Sequence, residues 1–126
     1  MSQLPDKSPE DRLRDKLAAF NPDFQRLVIE YQKAPSPDSL ARIIRGVIAH
    51  HVGEEVLTEK SAGKGDAVLL IEDLGFDSLA LVDLSFQGEE FVGVVIQIED
   101  FASIKTLGDL LAFMQRKAFP PAAGQS

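Results

Sequence analysis

The chain has 126 residues, 44% of them apolar, which fits one folded domain with a core of its own and excludes wholesale disorder. It has no cysteine, so disulfides and thiolate metal sites are excluded. Thirteen Lys and Arg against twenty Asp and Glu give a net charge of −7, which disfavours nucleic acid as a partner.

That charge is unevenly placed. Residues 1–37 carry six basic and six acidic side chains, and residues 38–126 carry seven and fourteen, so the whole excess lies in the second part. An acidic surface attracts basic patches on protein partners and speeds encounter with them, and it also keeps a protein in solution. No apolar run reaches about 18 residues, so no membrane span is expected. The first residues carry no secretory signal pattern, and a cytoplasmic location is expected.

Residues 1–8 are polar and expected to fray. Ser8-Pro9-Glu10-Asp11 reads as a helix start, with a hydroxyl cap, proline in the first position and two acids in the first turn. Leu13, Leu17 and Phe20 follow at helical spacing. Asn21-Pro22-Asp23 stops that helix and caps a second one, whose apolar stripe is Phe24, Leu27, Val28 and Tyr31. Ala34-Pro35-Ser36-Pro37 ends it, because proline disfavours helix at the residue before it. Residues 1–37 therefore read as an N-terminal helical arm, and residues 38–118 as the main domain. The arm's stripes need a cover, and packing on the main domain is favoured over docking a partner or a second copy.

Leu40, Ile43, Ile44, Val47 and Ile48 predict a helix from near Asp38 to His51-Val52, closed by Gly53 in a left-handed conformation. Residues 54–71 read as a long connection, with a turn-like stretch at residues 61–66. Val68-Leu69-Leu70-Ile71 reads as a buried loop segment or a helical turn; a strand there has no evident partner. The next helix is expected over residues 78–90, with Gly88 near its end. Residues 92–98 have strand propensity, but one strand cannot make a sheet, so a loop leading to a short helix near residues 99–103 is expected. Thr106 caps a last helix with Leu107, Leu110, Leu111 and Met114 on one face, stopped by Phe119-Pro120-Pro121. Residues 119–126 are expected to be a disordered tail. The fold class is all-α.

The stretch with most chemical content is Leu74-Gly75-Phe76-Asp77-Ser78-Leu79. A serine opening a helix ordinarily serves as a cap. Here it is followed by Leu81-Val82-Asp83-Leu84, then Glu89-Glu90-Phe91, then Thr106-Leu107-Gly108-Asp109-Leu110. From near Asp38 to near Lys117 this succession resembles the acyl carrier proteins. The resemblance implies a four-helix bundle with a short third helix, here with one or two extra N-terminal helices. It implies that a phosphopantetheinyl transferase moves a 4′-phosphopantetheine arm from coenzyme A onto Ser78. The arm's thiol then holds acyl groups as thioesters for fatty acid or specialised lipid or polyketide biosynthesis.

The residues agree with an acceptor serine. A helix start welcomes a phosphate. His50 and His51 lie on another helix, so Ser78 has no base of its own and needs one from the modifying enzyme. The chain is therefore expected to be a non-catalytic carrier. Leu79, Val82 and Phe86 share a helix face; at least some of them are expected in the core. The resemblance makes that face border the arm and touch partners, and it adds Asp77, Asp83, Glu89 and Glu90 as a docking surface for basic patches on the transferase and on acyl-handling enzymes. Ala80 and Ser85-Phe86-Gln87-Gly88 depart from the family's more acidic, more regular pattern. His50 and His51 are adjacent, too close in sequence for an i, i+4 metal pair, and read as surface residues. Gly63-Lys64-Gly65 lacks the spacing of a phosphate-binding loop. A free-standing, monomeric carrier is expected; the alternatives are an unmodified carrier-like interaction module and a carrier domain of a large synthase.

Overall fold

The computed structural model describes residues 9–120. Among these residues it holds six α-helices and no strand: α1 Pro9–Leu17, α2 Pro22–Lys33, α3 Pro37–Val52, α4 Glu54–Ser61, α5 Ser78–Val92 and α6 Leu107–Ala118. Single 3₁₀ turns occupy Gly65–Ala67 and Ile98–Ala102. The cap expected at Ser8, the fraying expected of residues 1–8 and, of the tail expected over residues 119–126, residues 121–126 lie outside the described residues; Phe119 itself packs edge-on against Tyr31, ring centroids 6.4 Å apart.

The helix starts follow their caps. The Asn21 side chain accepts from the Phe24 amide (2.8 Å), and the Ser36 hydroxyl from the Ser39 amide (3.1 Å), each with proline in the first turn. Thr106 and Asp109 form a reciprocal box: the Asp109 amide donates to Thr106 Oγ1 (2.9 Å) and the Thr106 amide to Asp109 Oδ2 (3.1 Å). The Thr106 amide, then the Lys105 amide (3.0 Å), donate to the Asp109 carboxyl and hold it below the usual aspartate range.

One hydrophobic cluster spans the molecule. The arm contributes Leu17, Phe20, Phe24, Val28 and Tyr31; α3, α5 and α6 contribute most of the rest, joined by Val68, Leu70, Leu74, Phe76, Val94, Ile96 and Ile104 from the connecting segments. Helix α2 packs on α3 and α5, and α1 packs on α5. The arm's stripes are therefore covered by the main bundle, as the sequence favoured. Its aromatic contacts are specific: Phe20 and Phe24 stack at 4.4 Å, and both meet the fully buried Phe91 edge-on, at 5.4 and 5.7 Å.

Two glycines inside helices show how closely the elements approach. A Cβ on Gly46 of α3 would lie 2.6 Å from two ring carbons of Phe24, so α2 can seat only on a bare backbone there. A Cβ on Gly88 of α5 would lie 3.2 Å from the terminal methyl of Met114. Alanine gains roughly 1 kcal/mol of helix propensity at either site. At Gly46 the Phe24 ring is held by Phe20 and Phe91 and cannot retreat, so Gly46→Ala is expected to destabilise by about 1–3 kcal/mol. At Gly88 the obstacle is the end of a flexible side chain, so Gly88→Ala is expected to stay within about 1 kcal/mol of the parent. Parallel urea titrations of the two variants check the contrast.

The structure corrects several expectations. Residues 54–61 are helical, not connecting loop, although α4 buries no residue. Gly53 has a positive φ of 94° but an extended ψ of 139°, so it bends the chain from α3 into α4 and does not close α3 in the left-handed region. Gly88 is a buried contact point well inside α5. The glycine that ends α5 is Gly93 (φ 73°, ψ 18°), whose amide donates to Glu89 O while the Val94 amide donates to Gly88 O. Residues 93–97 form the expected loop before the short 3₁₀ turn.

The histidines are more engaged than plain surface residues. The His50 ring stacks on Phe20 at 4.0 Å, and His51 Nε2 lies 2.9 Å from Gln87 Oε1, tying α3 to α5. Burial against Phe20, then the neighbouring His51, push the His50 pKa below its ordinary value of about 6.5. Folding therefore favours neutral His50. Its contribution to stability is present above the unfolded value and is lost as pH falls through the lower folded value. Chemical denaturation from pH 7.5 to 5.5 should show stability falling, with a shallower slope in His50→Gln.

Candidate functional site

The site begins in the segment before α5. Val68 and Leu70 are buried, and Leu69 pairs with Thr106 in an isolated antiparallel bridge. The Leu70 amide donates to Lys105 O (2.9 Å), and the Leu107 amide to Val68 O (3.0 Å). The patch thus has a pairing partner after all, supplied by the start of α6. Asp73 braces the next turn: its carboxylate accepts from the Leu69 amide (2.9 Å) and from Lys64 Nζ (2.8 Å). The Lys64 bond, then the amide, hold the Asp73 carboxyl below the usual aspartate range.

Gly75 takes a positive φ of 78° between the buried Leu74 and Phe76. The Phe76 amide donates back to Leu70 O (3.0 Å), and the His51 ring backs Phe76 at 5.4 Å. With two apolar anchors in the core, Asp77 emerges as the cap of α5. Its Oδ1 accepts from the Ala80 amide at 2.9 Å. Ser78 is then the first residue of α5, exposed, and its hydroxyl forms no hydrogen bond among the described residues.

Helix α5 has two distinct faces. Leu84, Gly88, Phe91 and Val92 are buried. Leu79, Val82, Asp83, Phe86, Glu89 and Glu90 lie away from the core, with Leu79 73% and Phe86 54% exposed and Val82 and Glu90 half-buried. The structure therefore corrects the core expectation for Leu79, Val82 and Phe86, none of which is buried. Two large apolar side chains held in solvent, one beside an exposed serine and one just over two turns further along the helix, form a surface suited to contact. Sequence reasoning missed a neighbour of this site. The end of α3, helix α4 and the 74–76 loop border an open recess of 160 Å³ beside the first turn of α5, lined by His51, Val52, Val56, Leu74, Phe76 and Ala80. Its walls come from three separated segments, so no local pattern announces it.

A family profile described as "Phosphopantetheine attachment site" matches residues 66–114. The chain is 38% identical over 77 residues to a meromycolate extension acyl carrier protein of Mycolicibacterium aurum, covering 70% of that protein and 61% of this chain. It is 34% identical over 76 residues to an acyl carrier protein of Thermotoga maritima, covering 85% of that protein and 59% of this chain. The chain belongs to the acyl carrier proteins. A meromycolate extension acyl carrier protein of Mycolicibacterium smegmatis is likewise 38% identical over 77 residues, covering 69% of that protein and 61% of this chain. No solved structure matches.

As an acyl carrier protein the chain is a non-catalytic bearer of acyl groups in lipid biosynthesis, and its cofactor is 4′-phosphopantetheine. The residues fit that group. The matched segment contains three serines. Ser85 donates to Val82 O (2.7 Å) within α5, and Ser103 donates to Asp100 O (3.2 Å). Ser78 alone of the three has a hydroxyl with no bond inside the described residues, and it stands at the positive end of a 15-residue helix. Asp77 partly offsets that field while keeping the helix start ordered. Among the described residues no cluster of His, Asp and Glu could hold a metal ion, and no helix is long and apolar enough to cross a membrane.

Proposed function

We propose that Ser78 is the residue that a phosphopantetheinyl transferase modifies. The carrying observation is the free, exposed hydroxyl at the mouth of α5, inside the matched attachment segment. Ser78 Oγ bonds to phosphorus as the phosphoanhydride of coenzyme A breaks, adenosine 3′,5′-bisphosphate leaves, and the hydroxyl proton passes to a base of the transferase. No imidazole bonds this hydroxyl, so an unmodified serine here is a poor nucleophile on its own account. When bound, the group supplies the thiol that holds acyl cargo.

The exposed face of α5 then serves as the docking surface. Leu79, Val82 and Phe86 give apolar contact, and Asp77, Asp83, Glu89 and Glu90 meet Lys and Arg on the transferase and on acyl-handling enzymes. The similarity to meromycolate extension carriers supports a cargo of long acyl chains under elongation. The open 160 Å³ recess beside the first turn of α5 has room for at most a few carbons of such a cargo. Coexpression with a broad-specificity transferase, followed by intact-mass measurement, should show one added phosphopantetheine. A mass unchanged under those conditions would overturn the reading in favour of an unmodified interaction module.

A further inference from the structure

Gly63-Lys64-Gly65 is no phosphate-binding loop, yet the structure holds its lysine in one place. Lys64 Nζ donates to both carboxylate oxygens of Asp73, at 2.9 and 2.8 Å. Asp73 lies five residues before Ser78, and Lys64 stands ahead of the matched segment 66–114. Gly63 and Gly65 take positive φ values of 78° and 57°, which a side chain there would resist. The chain thereby turns tightly enough to aim Lys64 at a partner nine residues on.

Two features set this pair apart from an ordinary surface ion pair. Asp73 keeps only 17% of its side chain exposed, against 47% for Asp66 and 83% for Asp38 in their own ion pairs, so solvent screens it less. The Asp73 oxygen nearer to Lys64 also accepts from the Leu69 amide at 2.9 Å, so two donors orient the carboxylate. It closes the turn over residues 69–76. There the Asp73 and Leu74 amides donate to Leu69 O (3.1 and 3.0 Å), and the Gly75 amide to Ile71 O (3.0 Å).

The lysine has a firm footing of its own. Its carbonyl accepts from the Ala67 amide at 3.0 Å. Asp66, two residues on, pairs with Arg45 of α3 at 2.8 Å. A Cβ on Gly108, at the start of α6, would lie 3.2 Å from the Asp66 carbonyl oxygen, so α6 presses on the same turn. Residues 64–67 are therefore anchored on α3 and α6, and Lys64 carries that anchorage to the turn that delivers Asp77 and Ser78.

We propose that Lys64 is a positioning residue for the modification of Ser78: through Asp73 it fixes the turn from which the serine hydroxyl is presented to the transferase. It takes no part in the bond making. Docking is a separate matter, because α5 is seated in the core by Leu84 and Phe91. Loss of the pair lowers the fraction of docked carriers whose hydroxyl is in line with the phosphorus, and leaves docking itself unchanged. An ion pair of this kind biases such a local equilibrium by about two- to fivefold. This role of Lys64 rests on the reading of Ser78 as the modified residue; the brace on residues 69–76 does not.

The test uses the full-length protein, saturating coenzyme A and a broad-specificity phosphopantetheinyl transferase, with the carrier concentration varied and product followed by intact mass. Lys64→Gln should lower kcat about two- to fivefold with KM unchanged. Lys64→Arg, which pairs with a carboxylate through two parallel bonds, should restore most of the loss. Arg42→Gln removes the same charge from the exposed Arg42–Asp38 pair and should leave both constants at parent values. Lys64→Gln with Asp73→Asn should be no slower than Asp73→Asn alone, because both variants break one link. Hydrogen exchange reads the brace without the transferase: the Leu69 and Leu74 amides should exchange about two- to fivefold faster in Lys64→Gln, and the Phe91 amide at the parent rate. A raised KM with kcat unchanged, equal losses in Arg42→Gln, no rescue by arginine, or unchanged exchange at Leu69 would each overturn the role of Lys64. A parent left unmodified, or a Ser78→Ala variant still modified, overturns the reading of Ser78 and this role with it, whereas a parent modified at Ser78 beside a Lys64→Gln variant modified at the same rate overturns the positioning role alone.

Discussion

Ser78→Ala is expected to abolish phosphopantetheine attachment completely while leaving the fold intact. The side chain is exposed and makes no internal bond, so its loss removes no packing and orphans no polar group. Alanine is the best helix former, and the α5 cap belongs to Asp77, not to Ser78. The stability change should fall within about 0.5 kcal/mol, as for surface substitutions generally. Intact mass and thermal denaturation on the same sample provide both readouts. Ser85→Ala and Ser103→Ala should remain modified; attachment persisting in Ser78→Ala and vanishing in either of these would move the site.

The largest expected loss of stability comes from Phe91→Ala. This ring is fully buried and meets Phe20 and Phe24 of the arm edge-on. Truncating a buried phenylalanine costs about 3–5 kcal/mol, against a total of roughly 5–15 kcal/mol for a typical domain. Urea denaturation should show one transition in the parent, and an earlier single transition in the variant with an unchanged slope. Because Phe91 packs directly on Phe20, the double variant Phe20→Ala with Phe91→Ala should be less destabilised than the sum of the singles, by about 0.5–1.5 kcal/mol. Additive effects and two separate transitions would mean that the arm folds independently of the bundle.

Much of the scaffold was legible because its signals are local. Asn21-Pro22, Ser36-Pro37 and the Thr106 and Asp109 pair write helix starts within four residues, and the Leu40 to Ile48 stripe writes a buried face. Helix α4 escaped because it buries nothing and so has no apolar period. Its signals were only Glu54 and Glu55 in the first turn and Lys60 in the last. The bridge at Leu69 escaped because its partner, Thr106, is 37 residues away.

The candidate site divides in the same way. Ser78 and its cap could be read from neighbours in sequence. Which face of α5 is outside could not, since Leu79 and Phe86 have the composition of core residues and only the placement of Leu84 and Phe91 decides it. Likewise Gly88 and Gly93 are equally plausible helix ends until α6 is seen pressing on the first.

The pairing of residues 68–70 with residues 105–107 has a consequence for the birth of the protein. The segment leading to Ser78 shares two of its backbone bonds with Lys105 and Leu107, which leave the ribosome last among its supports. A nascent or prematurely terminated chain lacking α6 lacks those two bonds and keeps only the bracing by Lys64, Asp73 and the Phe76 amide. Full bracing of the approach to Ser78 therefore waits until synthesis has run through the final helix, and a truncated product would present that serine on a less ordered segment.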